Sequence, residues 1–204
     1  MSHVCLITRG TQGIGPDVSD HKSVKVLHQN VFSIYDLLDG AVNNAGISTD
    51  ICMIGDASTS EFEQMWRVNV LGVFWCMQEQ IQIMKKHNLG HIVNIASIAG
   101  LHGILYSGTY VTTKHAVVGM TRTAALEYAQ TGIQVAAVAP GAIKRYILND
   151  AIAAGAYSEE SIASMFPMKN MGKPLDIAQA ISFLLHSDYA TGSILEVDGG
   201  SGAS

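Results

Sequence analysis

Ser97, Tyr110 and Lys114 are residues whose types and spacing suit proton transfer. Tyr110 and Lys114 stand four apart in GTYVTTKH, so a helix through this stretch puts them on one face. A lone tyrosine is a poor base at neutral pH, because its ordinary pKa is about 10; bringing it to neutrality takes about 4 kcal/mol of selective stabilisation of the phenolate. A cation one helical turn away supplies stabilisation of that kind. Ser97 closes the apolar run HIVNIAS, where a strand would deliver its hydroxyl to the mouth of a sheet. Two hydroxyls, Ser97 and Tyr110, would then aim at one substrate oxygen. Each residue also has a plain structural reading, a strand-end cap for Ser97 and a chance helix pair for the other two, so the decision rests on the rest of the chain.

The elements that must position them can be read in order. Val4 to Thr8 is a short apolar run followed by RGTQGIG, a strand and glycine-rich turn of the kind that opens a dinucleotide fold. Gly10, Gly13 and Gly15 would let the backbone approach a pyrophosphate, although a plain tight turn has the same look. Pro16 follows, then a helix capped by Ser19 or Asp20, with Val24, Leu27, Val31, Ile34 and Leu38 as its apolar positions. AVNNAGI is a short strand running into small and polar residues. Ser60 is the expected cap of a long helix that ends in Lys85, Lys86 and His87, where cations suit the dipole. Asn69 falls in its middle between Val68 and Val70 and must find partners if it is buried. A strand over His91 to Ala96, a helix over Thr109 to Gln130 and a strand over Ile133 to Ala139 come next, the last meeting PGAI. Residues 142 to 172 read as an irregular flap with several methionines, which suit flexible packing. Pro174 opens the last helix, and SILEVDGG is a closing strand and turn. This alternation predicts an α/β fold, a doubly wound parallel sheet of the Rossmann type.

Composition narrows the function classes. The chain has 204 residues, 48% of them hydrophobic and 14% charged, with 20 glycines, which suits one domain built on a sheet buried on both faces. A net charge of -5 without any Lys/Arg run speaks against nucleic acid. The apolar run at the start is too short for a signal peptide or a membrane span, so no membrane association is expected and the cytoplasm is the default. Cys5, Cys52 and Cys76 have no CxxC spacing and read as reduced packing residues. The eight histidines form no metal-ligand pattern, so no metal is expected.

Taken in order, TRGTQGIG at 8–15, Asp17-Val18, NNAG at 43–46, Asn69 in NVLG, Ser97, Tyr110 with Lys114, PGAI at 140–143 and DGG at 198–200 resemble the short-chain dehydrogenase/reductase family over nearly the whole chain. The resemblance implies an oxidoreductase that moves a hydride between NAD or NADP and a ketone or secondary alcohol. It implies Tyr110 as general acid/base, Lys114 as the cation that lowers the Tyr110 pKa and binds the nicotinamide ribose, and Ser97 as the group polarising the substrate oxygen. Asn69 would hold a water that relays protons through Lys114. Gly10, Gly13, Ile14 and Gly15 would cradle the pyrophosphate, Asp17 and Val18 the adenine, Asn43 and Ala45 of the NNAG turn the nucleoside, and Pro140 and Ile143 the nicotinamide, with Tyr110 and Lys114 also touching the cofactor. A homo-oligomer is expected, because the helices around Trp66 to Met84 and Val111 to Leu126 are apolar on more than one face; the family implies a tetramer.

The chain departs from the family pattern in three places. Arg9 stands where the pattern TGxxxGxG has its first glycine, and Arg145 where a threonine usually meets the nicotinamide amide. Between Gly15 and Asp17 the second and third strands and their helices are missing, a large piece because each βαβ unit takes about 30 residues. Either the polypeptide is shortened within its single domain, 1–204, or the sequence joins segments across a gap, the explanation we favour, since a bare parallel edge is an aggregation hazard. An intact mass of 21.7 kDa marks the former. The acidic residue that would select NAD belongs to the missing piece. Gln12 is not the basic residue that suits a 2'-phosphate, which tilts the expectation weakly to NAD. The alternative to an enzyme is an inactive relative with impaired cofactor binding, acting as an oligomer partner or binding module.

Overall fold

The computed structural model describes residues 3–8, 17–49, 51–144 and 158–203. Strands β1 (Cys5–Thr8), β2 (Gly40–Asn43), β3 (Gly90–Ile95), β4 (Ile133–Pro140) and β5 (Ile194–Val197) alternate with helices. These are α1 (His21–Tyr35), α2 (Thr59–Trp66), α3 (Gly72–Met84), α4 (Gly108–Tyr128), α5 (Glu159–Ser164) and α6 (Pro174–Leu185). A π-helical turn, Arg67–Leu71, joins α2 to α3 without a break. All strands are parallel and lie in chain order, with Thr8 opposite Asn43 and Asn43 opposite Asn94. The expected α/β architecture is therefore present. Among the described strands the order never reverses, and β1 forms one edge.

Alternation along the strands sorts the core into two faces. Val135, Ala137 and Ala139 of β4 and Ile92 of β3 join Val73, Met77 and Val117 from α3 and α4. Ala136 and Val138 of β4 and Val93 of β3 turn the other way, onto Ala180 and Leu184 of α6. Burying each such Val or Ile contributes about 1.5–3 kcal/mol. β1 differs: Leu6 packs against the α3–α4 face, while Cys5 is exposed and Ile7 is 63% exposed on the opposite side.

Helix ends follow local chemistry. The Asp20 carboxylate caps α1 by accepting the Ser23 N–H at 2.9 Å, and Asp36 ends the helix in the left-handed region at φ 58°. Two details of the α1 reading are corrected. Ile34 is exposed, and Leu38 is buried but lies beyond the helix end, so it enters the core from the connection to β2. His28 takes an inner position, its Nδ1 bonded to the Val24 carbonyl at 2.8 Å, and burial holds its pKa below the ordinary histidine value. The cap of the next helix is Ser58, two residues before the expected Ser60, because its hydroxyl reaches the Glu61 N–H. Pro174 opens α6 as expected, with the Asp176 carboxylate accepting the Lys173 N–H at 2.7 Å.

Candidate active site

Because every strand is parallel, Thr8, Asn43, Ile95, Pro140 and Val197 end at one edge of the sheet, the edge where open α/β sheets bind ligands. Ser97 lies two residues past the end of β3, and its Oγ accepts the Ala99 N–H at 3.1 Å, capping a short 3₁₀ turn, Ile98–Gly100. Accepting that bond leaves the hydroxyl proton available to a substrate oxygen. Gly100 brings this turn onto α4: a Cβ there would meet the Lys114 carbonyl oxygen at 2.7 Å.

Tyr110 lies in the first turn of α4, half-buried, and Lys114 is one turn further on and 5% exposed. The ammonium sits 5.7 Å from the centre of the Tyr110 ring and donates to the Ile95 carbonyl at 2.8 Å. A buried ammonium needs such partners. The predicted helix pair is therefore real, and the end of β3 supplies both the serine and a carbonyl that holds the lysine.

Asn69 sits inside the π turn and is fully buried. Its Oδ1 accepts the Ile47 N–H at 2.8 Å, and its Nδ2 donates to the Ile47 carbonyl at 2.8 Å and to Thr113 Oγ1 at 3.2 Å. Thr113 in turn donates to the Tyr110 carbonyl at 2.8 Å. Asn69 thus joins Ile47, just past the NNAG turn, to Thr113 and through it to Tyr110 in the first turn of α4. π turns of this kind are frequent at functional sites. Gly46 lies against both groups: a Cβ there would stand 3.3 Å from Asn69 Oδ1, a tight contact, and 3.6 Å from Lys114 Nζ, an ordinary one. Thr113 and Gly46 were not singled out by sequence reasoning; the signal for Thr113 was its place between Tyr110 and Lys114, and for Gly46 the NNAG motif itself.

On the side expected to meet the nucleotide, Thr8, Val18, Asn43 and Ala45 lie together with Val68 and Cys76 around a gap too narrow to admit a water. Thr8 Oγ1 accepts the N–H groups of Asn44 at 3.1 Å and Ala45 at 3.4 Å, which ties the end of β1 to the NNAG turn. The Asn43 side chain faces inward and bonds Gln80 and Asn94, so only its backbone is placed to meet a nucleoside. Asp17 is exposed and accepts the Ser19 N–H at 2.9 Å. Val18 packs with Val24, Ala45, Val68 and Cys76, and a Cβ at Gly72 would lie 2.9 Å from its carbonyl oxygen. Pro140 ends β4, and Ile143 pairs with Gly172, which fastens the two ends of the flap. Met171 is buried there with Ile162 and Phe166, whereas Met165 and Met168 are exposed. Gly10, Gly13, Ile14 and Gly15, with Arg9, Gln12 and Arg145, lie outside the described residues.

The cysteines differ from one another. Cys76 is buried, and burial pushes its thiol up to about 12, with Glu79 adding to the rise. Cys5 is exposed rather than packed, and its pKa is raised by partial burial and by Asp39. No group of three or more His, Cys, Asp or Glu among the described residues is arranged to hold a metal ion, and no helix among them is long and apolar enough to cross a membrane.

Known proteins resemble the chain in sequence and in fold. A family model described as enoyl-(acyl carrier protein) reductase matches residues 7–202. The chain is 39% identical over 187 residues to 2,5-dichloro-2,5-cyclohexadiene-1,4-diol dehydrogenase of Sphingobium indicum, covering 90% of this chain and 75% of the relative. It is 34% identical over 185 residues to cyclohexanol dehydrogenase of an Acinetobacter species, covering 90% and 71%. Among solved structures, ElxO with NADP bound superposes with a TM-score of 0.96 at 33% identity, covering 100% of both chains.

Proposed function

We propose roles for four residues of this chain, which belongs to the short-chain dehydrogenase/reductase family and is an NAD(P)-dependent oxidoreductase acting on alcohols or ketones. Tyr110 is the general acid/base. It gives its proton to a carbonyl oxygen in reduction and takes one from a hydroxyl in oxidation. Lys114 favours the phenolate, Ser97 donates to the substrate oxygen as negative charge develops there, and Asn69 holds the NNAG turn against Lys114. Asn69 was expected to carry a proton-relaying water. Its side-chain groups bond Ile47 and Thr113, so we assign the side chain this positioning role in place of the relay. The observation that carries the reading is the buried Lys114 ammonium beside the Tyr110 ring.

Lys114 Nζ, beside the Gly46 backbone at the end of the NNAG turn, would hold the ribose end of a nicotinamide cofactor. Bound there, the cofactor supplies or accepts the hydride. Thr8, the backbone of Asn43, and Ala45 would wall the nucleoside, with Asp17 and Val18 towards the adenine and Pro140 and Ile143 towards the nicotinamide. We favour NAD, on the single ground that Gln12 offers no charge to a 2'-phosphate; the NADP in ElxO speaks for the other choice. Titrating NADH and NADPH by fluorescence decides between them. Binding of neither at millimolar levels would leave the inactive-partner reading in place of an enzyme.

For substrate we propose an alicyclic secondary alcohol or the matching ketone. The two relatives are named for a cyclohexadiene-diol and for cyclohexanol. Exposed Ile54, Ile104 and Leu105 flank the loops next to the site, where Cys52 pairs with Ser107. A panel of cyclic and open-chain alcohols with both cofactors tests this, and faster turnover of open-chain substrates would overturn it. We also propose a homo-oligomer, a tetramer, because Phe74 of α3 and Leu126 of α4 expose apolar surface. A monomeric mass in sedimentation at micromolar concentration would refute it. Residence in the cytoplasm is proposed from the unpaired cysteines and is checked by cell fractionation.

A further inference from the structure

Just beneath the carboxyl edge lies a run of buried polar side chains that make no step of the reaction. Asn43 Nδ2 donates to Gln80 Oε1 at 3.1 Å and to Asn94 Oδ1 at 2.9 Å, and Gln80 Nε2 returns a bond to Asn43 Oδ1 at 2.8 Å. Asn94 Nδ2 donates to Thr121 Oγ1 at 2.9 Å, and the Thr121 hydroxyl donates to the Val117 carbonyl at 2.8 Å. None of the four is more than 2% exposed. Three carboxamides side by side in a core are costly unless each is paired, and apolar side chains of the same size would fill the space without that demand.

Their location gives the reason for keeping them. Asn43 immediately precedes the turn that Thr8 holds at Asn44 and Ala45. Asn94 precedes Ile95, whose carbonyl receives the Lys114 ammonium. Thr121 lies two turns along α4 from Lys114, and Gln80 is on α3, which continues the π turn carrying Asn69. Each member therefore sits on an element that delivers a group to the site, and the bonds fix those elements against one another.

We infer that Gln80, Asn94 and Thr121 are positioning residues: Gln80 acts through Asn43 on the cofactor-facing NNAG turn, and the Asn94–Thr121 bond sets α4, with Tyr110 and Lys114, against the end of β3. The inference rests on the roles proposed above. It divides the network into two arms with separate kinetic signatures, since the first arm touches the cofactor's wall and the second the proton-transfer groups.

The test uses the full chain, steady-state kinetics with the preferred cofactor, and thermal melting. Gln80→Met should raise the KM for cofactor about tenfold and leave kcat within about twofold, whereas Thr121→Val should lower kcat about tenfold and leave that KM nearly unchanged, the scale expected of a small misplacement. Thr121→Ser keeps the hydroxyl and should restore kcat. Ile133→Ala, at the far end of β4, should lower the melting temperature without moving either constant. If Gln80→Met does not accumulate as folded protein, Gln80→Ala, with room for a water, replaces it. Folded variants of both arms with unchanged constants, or with losses of kcat and KM that show no split, overturn the inference. A parent protein that neither turns over nor binds NAD(P)H removes the underlying assignment of Tyr110 and Lys114, and the positioning roles with it.

Discussion

The two ends of the sheet's carboxyl edge are built differently. Around α4, the polar groups are held by several elements at once: Lys114 by the end of β3, Asn69 by Ile47 and Thr113, and the Ser97 turn by its close approach to α4 at Gly100. Around β1, a four-residue strand forms the sheet edge with Cys5 and Ile7 exposed, and one hydroxyl, Thr8, ties it to the NNAG turn. The half proposed for proton transfer is over-determined by contacts between distant segments. Among the described residues, the half proposed to hold the nucleotide shows fewer of them, so perturbations there should move cofactor affinity and association before they move the chemistry.

The sharpest test of the first half is Tyr110→Phe, which should cut turnover by about 10²–10⁴-fold, the worth of a positioned acid/base, while cofactor affinity by fluorescence stays nearly unchanged. Retained turnover would take Tyr110 out of the mechanism. Next in size, Asn69→Ala strips partners from both Ile47 backbone groups and from Thr113. It should cost about 2–3 kcal/mol in denaturant unfolding, the scale of buried polar groups left unpaired, and lower activity as well. A neutral result would show that the π turn holds itself without the side chain. For the second half, Thr8→Val removes the acceptor for two amides and should weaken cofactor binding by about 1–2 kcal/mol with kcat little changed; a loss confined to kcat would reverse the contrast.

Two smaller effects probe the frame. Burial lowers the His28 pKa, outweighing the Val24 bond and Glu79, which both raise it. The unfolded chain therefore takes up a proton at about pH 6.5 before the folded chain does. This contribution to stability is intact above that pH and lost as the pH falls below it. The melting temperature should drop between pH 7 and 5 in the parent, and less steeply in His28→Leu; equal slopes would assign the loss to other groups. Least in energy, in a polypeptide whose intact mass is 21.7 kDa and whose β1 is therefore a bare edge, Ile7→Lys should change unfolding by no more than about 0.5 kcal/mol yet reduce light scattering at high concentration, because a charge blunts an open edge. Unaltered association would show that β1 is not the sticky edge.

Much of this architecture was readable from local pattern. Tyr110 and Lys114 share a helix face because four residues make about one turn, and the strand leading to Ser97 follows from the continuous apolar run of a buried parallel strand. The stops and starts at Pro174 and at Asp20 are likewise local. Ile34 was misjudged because Val31 and Phe32, near the end of α1, take the core-facing positions and leave Ile34 exposed, and Ser60 because Ser58 offers the same cap two residues earlier.

What the sequence determined by itself is the order of elements and the chemical types at the site, since strand and helix periods, caps and the Tyr110–Lys114 spacing depend on neighbours within a turn or two. Tertiary structure alone decided which polar groups serve the site and which serve the interior. Asn43, between Val42 and Asn44, and Asn69, between Val68 and Val70, are both buried asparagines. One turns inward to Gln80 and Asn94, and the other bridges Ile47 and Thr113. Those partners lie 22 to 51 residues away, and only the folded sheet, by bringing separate strand ends to one edge, chooses between them.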